Sequence, residues 1–206
     1  MTEPPAAPDP EAELRALCDG QRWSEAATAI LERYGRELMS YLVAIARSET
    51  DAGEAFSQLT EDLWRGLPRF RWQSTVRTWC YTLARNALFR VRRTARRRGG
   101  PAVALSDAPA VALAANAVRT ATLTYLRTQV KDEVAALREQ LTPDDQAILI
   151  LRIDRKLPWL DVARALAGEE ELPDDELTRR SATLRKRFGR IKSDLKKLLE
   201  KKLDPR

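Results

Sequence analysis

Apolar residues recur along most of this chain at intervals of three and four, the spacing of helices that each bury one face. In 24–47 the stripe is Ile30, Tyr34, Leu38, Tyr41 and Ile45, and Phe56, Leu59 and Leu63 repeat it in the next segment. Pro68 predicts the end of that second helix, because the residue before a proline is pushed out of the helical region. In 75–93, Val76, Trp79 or Cys80, Leu83, Ala87 and Val91 form a further stripe. Gly99, Gly100, Pro101 and an Ala/Val/Pro-rich stretch to about residue 116 read as a linker. Periodicity resumes near Val118 and runs to Gln140. Thr142-Pro143-Asp144-Asp145 predicts a helix start: a Thr cap, a proline in the first position, and acids beside the positive end of the helix. Leu157-Pro158 opens the next helix, with Leu160, Ala163 and Leu166 inward. The last helix carries Leu184, Phe188, Ile191, Leu195 and Leu198 on one side. Alternating Val/Ile/Thr runs and Asn-Gly hairpin turns do not occur. The expected fold is all-α, with two small helical domains at 21–98 and 118–206. A disordered segment at 1–20 precedes them and a flexible linker at 99–117 joins them.

Composition narrows the chemistry. The 206 residues include no His and two Cys, Cys18 and Cys80, far apart in sequence. A structural zinc site, which draws about four ligands mostly from those two residue types, is excluded in practice. A disulfide framework is excluded in the same way, and a reducing compartment fits best. The commonest nucleophile–base pairs are missing too, and no cofactor is expected. The longest weakly polar stretch, 102–118, contains Asp107 and Pro109, so no membrane span is expected. The start of the chain, MTEPPAAPDPEAEL, has neither the basic nor the apolar region of a secretory signal. Cys80 falls on an apolar stripe and reads as a small core residue.

Charge is distributed in blocks. The net charge is +6, yet 1–20 carries five acids and one base. Residues 65–98 carry eleven Arg and no acid, 169–176 hold six acids, and 178–202 hold eleven bases against two acids. Two basic blocks this far apart suggest two contacts with one long polyanion.

The run WRGLPRFRWQSTVRTWCYTLARN at 64–86 closely resembles region two of bacterial RNA polymerase sigma factors, the extracytoplasmic-function group in particular. Arg77-Thr78-Trp79 and Ala84-Arg85-Asn86 match that pattern without a gap. The preceding DAGEAFSQLTEDLW resembles the family's clamp-binding helix, matching at Asp51, Ala52 and Trp64. There the Gln stands one place late, at Gln58, and Asp62 replaces the usual basic residue. Downstream, LTPDDQAILILRIDRKLPWLDVARAL and SATLRKRFGRIKSDL resemble region four, a helix-turn-helix with a basic second helix. The matched segments cover roughly 25–98 and 120–200.

The resemblance implies a transcription initiation factor that is not itself an enzyme. It would bind core RNA polymerase, read two promoter elements and help melt the start-site DNA. Melting requires single-stranded bases to be held on aromatic faces, worth about 1–3 kcal/mol per base. The expected minus-ten contacts are Arg69, Phe70, Arg71, Trp72, Arg77, Thr82, Asn86, Arg90, Arg93 and Arg97. Among them Asn86 suits a base edge and the arginines suit phosphates. Trp79 and Trp64 read as core residues. Trp72, where the family often has Gly, reads as a base contact.

Asp51, Glu54, Gln58, Glu61 and Asp62 are expected to face outward and meet the polymerase clamp. An acidic solvent face is the plain alternative for that helix. In the second unit Arg179, Arg180, Thr183, Arg185, Lys186, Arg187 and Arg190 are the expected minus-thirty-five contacts. A helix-turn-helix joins its helices by three or four residues. Here Gly168 to Glu176 intervene, six of the nine acidic, and the recognition helix is expected near Leu177 or Thr178. That acidic stretch either points away from DNA, screens the basic helix until a competitor arrives, or is an ordinary solvated insertion. An anti-sigma partner and a cytoplasmic location are further implications of the resemblance. Two other readings compete. A stand-alone helix-turn-helix regulator leaves 64–86 without a purpose. A nuclease would need carboxylates for a metal, and 65–98 has none.

Overall fold

The computed structural model describes residues 11–95, 107–128, 133–168 and 172–203. Among these the chain is helical with no strand. The helices are α1 (Ala12–Asp19), α2 (Trp23–Ala46), α3 (Glu49–Gly66), α4 (Val76–Ala95), α5 (Pro109–Thr128), α6 (Glu133–Arg138), α7 (Pro143–Leu149), α8 (Trp159–Ala167) and α9 (Asp174–Leu203). A 3-10 turn at Leu67–Arg69 follows α3, and one π-type turn at Ile150–Asp154 extends α7.

Local chemistry sets the boundaries. α2 stops where Arg47 turns left-handed at φ 58°, and Ser48 then caps α3 by accepting from the Asp51 N–H. Pro68 falls where α3 has given way to the 3-10 turn. Thr142 caps α7 by accepting from the Asp145 N–H at 3.2 Å, with Pro143 in the first position. Arg92 donates to the Ile45 carbonyl at 2.7 Å, tying α4 to the open C-terminal end of α2.

α3 and α4 pack on each other and on α2. Tyr41 and Tyr81 meet edge to face at the centre, ring centroids 5.2 Å apart, both fully buried. Burial pushes the Tyr41 hydroxyl up to about 12 and raises those of Tyr81 and the Cys80 thiol as well. Cys18 and Cys80 are free thiols, both buried, as the apolar position of Cys80 led one to expect.

Two expectations need correction. Residues 12–19, placed in a disordered segment, form α1 and bury Leu14 and Cys18 against α2. The reason is the pair of apolar residues four apart, which an acidic, proline-rich neighbourhood obscured. Residues 109–117, assigned to the linker, are the first turns of α5, which lies along α2 and α3. There Val118 approaches Gly35 so closely that a Cβ on the glycine would sit 2.9 Å from its methyl. Residues 1–10, and 99–106 of the expected linker, lie outside the described residues.

The two helical units share one core. Leu151, Leu157, Val162 and Ala165 belong to the same buried apolar cluster as Phe56, Cys80 and Tyr81. The contact runs through α8 against α4 and α7 against α2. A second, smaller cluster of Leu141, Ile148, Leu149 and Ile191 holds α9 to α7.

Candidate nucleic-acid interface

The loop after α3 presents an aromatic ladder. Phe70 stacks on Trp79 at 4.5 Å with a 22° interplanar angle, and Trp72 tilts against Phe70 at 5.0 Å. Trp79 is half-buried on the core while its ring also closes over Gly66, where a Cβ would sit 2.8 Å from a ring carbon. Trp72 holds φ 57°, a left-handed conformation that a glycine adopts without strain. Its outer face carries the Arg15 guanidinium, 4.4 Å from the ring centroid. Arg69 and Arg71 are exposed beside this ladder.

α4 begins with a device that lies far away in sequence. The buried Glu11 carboxylate accepts from the backbone N–H groups of Val76 at 2.8 Å and Arg77 at 3.2 Å. First-turn N–H groups have no partner within their own helix, so a carboxylate there satisfies two of them and meets the positive helix end.

Beyond that first turn, the expected minus-ten residues divide. Arg93 is exposed. Arg90 pairs with Asp62 across α3 and α4. Arg77 makes a two-pronged ion pair with Glu37 at 2.6 and 2.7 Å and also donates to the Arg155 carbonyl at 3.0 Å. The Glu37 hydrogen bonds hold the Arg77 guanidinium protonated above its usual range. Thr82 lies against the Arg164 carbonyl, 3.5 Å away. Asn86 is 8% exposed, with Gly168 set against its side-chain oxygen. Arg85 pairs with Asp144 at 3.0 Å. Arg97 lies outside the described residues.

The surface of α3 also differs from expectation. Glu54 is exposed, and Asp51 and Gln58 are half-buried. Glu61, expected outward, is 3% exposed and pairs with Arg65 at 2.7 Å. Asp62 is engaged by Arg90 and accepts from Gln58 at 3.2 Å. The correction at Glu61 has a simple origin. α3 is flanked by α2, α4 and α5, so its buried arc is wider than the Phe56, Leu59, Leu63 stripe.

α9 starts at Asp174, three or four residues before the expected start. Asp174, Asp175 and Glu176 are its first turn rather than a loop, because acids favour the positive helix end. The connection from α8 therefore spans 168–173, of which 169–171 lie outside the described residues. Arg179 pairs with Asp175 and, at 3.7 Å, with Glu176; Arg180 lies 3.8 Å from Glu176. The Arg179 hydrogen bond draws the Asp175 carboxyl below its usual range. Arg187 pairs with Asp145 of α7 at 2.6 Å. Thr183, Arg185, Lys186 and Arg190 are exposed along the same helix. A groove of about 310 Å³ opens between α4 and the second unit, walled by Arg85, Asp144, Glu176, Arg180 and Arg187 over an apolar floor at Ile148 and Leu184.

Among the described residues no group of His, Cys, Asp and Glu side chains could hold a metal ion. No helix among them is long and apolar enough to cross a membrane. The arrangement is that of a helical protein with an aromatic–arginine loop and two basic helices, suited to a nucleic-acid backbone and unstacked bases. Residues 30–98, about a third of the chain, match the family model described as Sigma-70 region 2. The matched stretch takes in most of α2, all of α3 and α4, and the aromatic loop between them. No curated protein and no solved structure matches the chain.

Sequence reasoning missed Glu11, Glu37, Arg85 and Asp144, which fix and cover α4. No local signal marks Glu11, because its partners lie 65 and 66 residues on. Arg85 was visible within the matched Ala84-Arg85-Asn86 triplet but was not assigned a contact.

Proposed function

We propose that this chain is a sigma factor of the extracytoplasmic-function kind, acting in the cytoplasm with core RNA polymerase. The observation that carries the reading is the coincidence of the Sigma-70 region 2 match at 30–98 with the aromatic ladder Trp72–Phe70–Trp79 and the acid-free arginine block. In this reading Phe70 and Trp72 receive unstacked bases of the minus-ten element, and Arg69, Arg71 and Arg93 neutralise the adjoining phosphates, joined by Arg90 when it exchanges Asp62 for a phosphate. Thr82 and Asn86 complete the minus-ten surface once their contacts with the second unit part, and Arg77 once it also leaves Glu37. α8 and α9 act as a helix-turn-helix on the minus-thirty-five element. Arg179, Arg180 and Thr183 lie near the start of α9 to reach base edges, and Arg185, Lys186, Arg187 and Arg190 lie along the backbone. Asp51, Glu54 and Gln58 remain available on α3 for the polymerase clamp, while Glu61 and Asp62 support that surface from within.

The test is transcription from fragmented genomic DNA by purified bacterial core polymerase, with and without the protein. New start sites sharing two upstream sequence boxes are expected. Binding to core without new starts would leave an inhibited sigma relative. No binding to core would overturn the reading in favour of a free-standing DNA-binding regulator.

A further inference from the structure

The family match begins at residue 30, yet the aromatic loop is held by a helix that precedes it. Residues four apart share one helix face, and α1 offers two such pairs. Leu14 and Cys18 are buried and fix α1 to the core. Glu11, at the cap position, and Arg15 lie on the side turned to the loop. Glu11 accepts from the first turn of α4 at Val76 and Arg77, and Arg15 lies over Trp72, 4.4 Å from the ring centroid. One face of α1 therefore grips the loop at both ends. Arg15 is the one base among residues 1–20, against five acids. Glu13 is turned another way and pairs with Arg33 at 3.1 Å. The charge that α1 brings to the aromatic ladder is thus a single guanidinium.

The place this guanidinium occupies is one that a base can take. Trp72 is half-buried, with Phe70 tilted against it at 5.0 Å and Arg15 over its outer face. Its backbone is left-handed at φ 57°, a conformation disfavoured for a residue with a Cβ, and such strain concentrates at binding sites. A guanidinium is planar, and it stacks on an aromatic ring or on a nucleobase alike. Arg77, Arg85 and Arg90 are held by carboxylates, whereas Arg15 is exposed and held by a ring. Rotation of its own side chain is enough to lift it from Trp72.

We propose that Arg15 is a base-contacting residue of the nucleic-acid site: it keeps the outer face of Trp72 in the free chain, lifts to admit one unstacked base, and then clamps that base against the ring. The inference rests on the reading of the loop as a platform for single-stranded bases. The chemistry recognised is the π-face of a nucleobase, so the slot takes any base.

The experiment is fluorescence anisotropy with the full-length chain and two single-stranded probes of equal length. One is oligothymidylate, and the other carries the same phosphates on abasic sugars. The ratio of the two affinities isolates the bases, because counterion release from the phosphates is common to both. The parent should prefer oligothymidylate by about fivefold or more. Arg15→Ala should lower that ratio by about threefold or more. Arg15→Lys keeps the charge and loses the planar face, so it should lower the ratio similarly. Arg127→Ala removes an equal charge from α5 at a side chain 65% exposed, and should leave the ratio unchanged. Thermal melts should place each variant within about 4 °C of the parent, since Leu14, Cys18 and Glu11 still anchor α1.

A ratio that Arg15→Ala leaves unchanged would overturn Arg15 as a base contact and leave the loop as a platform. A ratio that rises would overturn the clamp and leave Arg15 a plug on Trp72. Full rescue by Arg15→Lys would overturn the stacking role, since charge alone would then suffice. A parent with equal affinity for the two probes, or none for either, would overturn the platform itself and this inference with it.

Discussion

Replacing Glu11 by Ala removes the single carboxylate that closes the start of α4. Two backbone donors, Val76 N–H and Arg77 N–H, then lose acceptors at 2.8 and 3.2 Å. Val76 is fully buried, so water does not take over its bond at no cost. A charge-assisted hydrogen bond contributes about 1.5–3 kcal/mol, and the longer bond counts for less. The favourable position at the helix end is part of the same interaction. Together these give a loss of about 2–4 kcal/mol. At about 2–4 °C per kcal/mol for a chain of this size, the melting midpoint should fall by about 4–16 °C. Glu11→Gln keeps one acceptor but turns an amide N–H₂ toward the other donor, so it should fall between the variant and the parent. Urea unfolding should show a lower midpoint at an unchanged slope. Amide exchange should accelerate at residues 76–78 before it does elsewhere in α4. A Glu11→Ala midpoint within about 1 °C of the parent would refute the capping argument and return the segment to a passive role.

Other outcomes are expected from the same structure. Gly66→Val puts a branched side chain into the Trp79 ring, which a Cβ alone would approach to 2.8 Å, and should cost about 1–3 kcal/mol in urea unfolding. Trp72→Gly relaxes a left-handed residue but removes a ring from the ladder. Its stability should change little, while affinity of the polymerase complex for a melted-bubble template should fall about fivefold to a hundredfold, measured by anisotropy. Asp161 is pushed above the usual carboxylate range by burial, against the pull of Arg164 and Thr78. A carboxyl raised in the folded state favours folding when protonated and loses that contribution as pH rises through its folded pKa. Asp161→Asn should therefore match the parent below about pH 4, the ordinary Asp value, and be the more stable at neutral pH. Denaturant midpoints across that range check it, and a gain confined to acid would refute it.

The helices were legible because each buries a stripe that its own spacing announces. Thr142-Pro143-Asp144-Asp145 started α7 as read, and Pro68 fell at the end of α3. The connection between α8 and α9 was read too long, because six acids look like a solvated loop until three of them enter a helix start. Glu61 was read outward because one stripe predicts one buried face, and α3 has neighbours on three sides. What no pattern could show is which unit lies on which. Arg77, Thr82 and Asn86 are polar residues at helical spacing, and the same spacing serves a face turned to DNA or one turned to α8. That choice is made by contacts tens of residues apart, such as Arg85 with Asp144 and Arg77 with the Arg155 carbonyl.

The apolar cluster that runs unbroken from α2 to α8 has a consequence for the lifetime of the molecule. Parting the units uncovers Leu151, Val162 and Ala165 on one side and the Cys80 flank of α4 on the other, surface that chaperones and proteases recognise. An opened chain with nothing to lie against is thus a substrate for turnover.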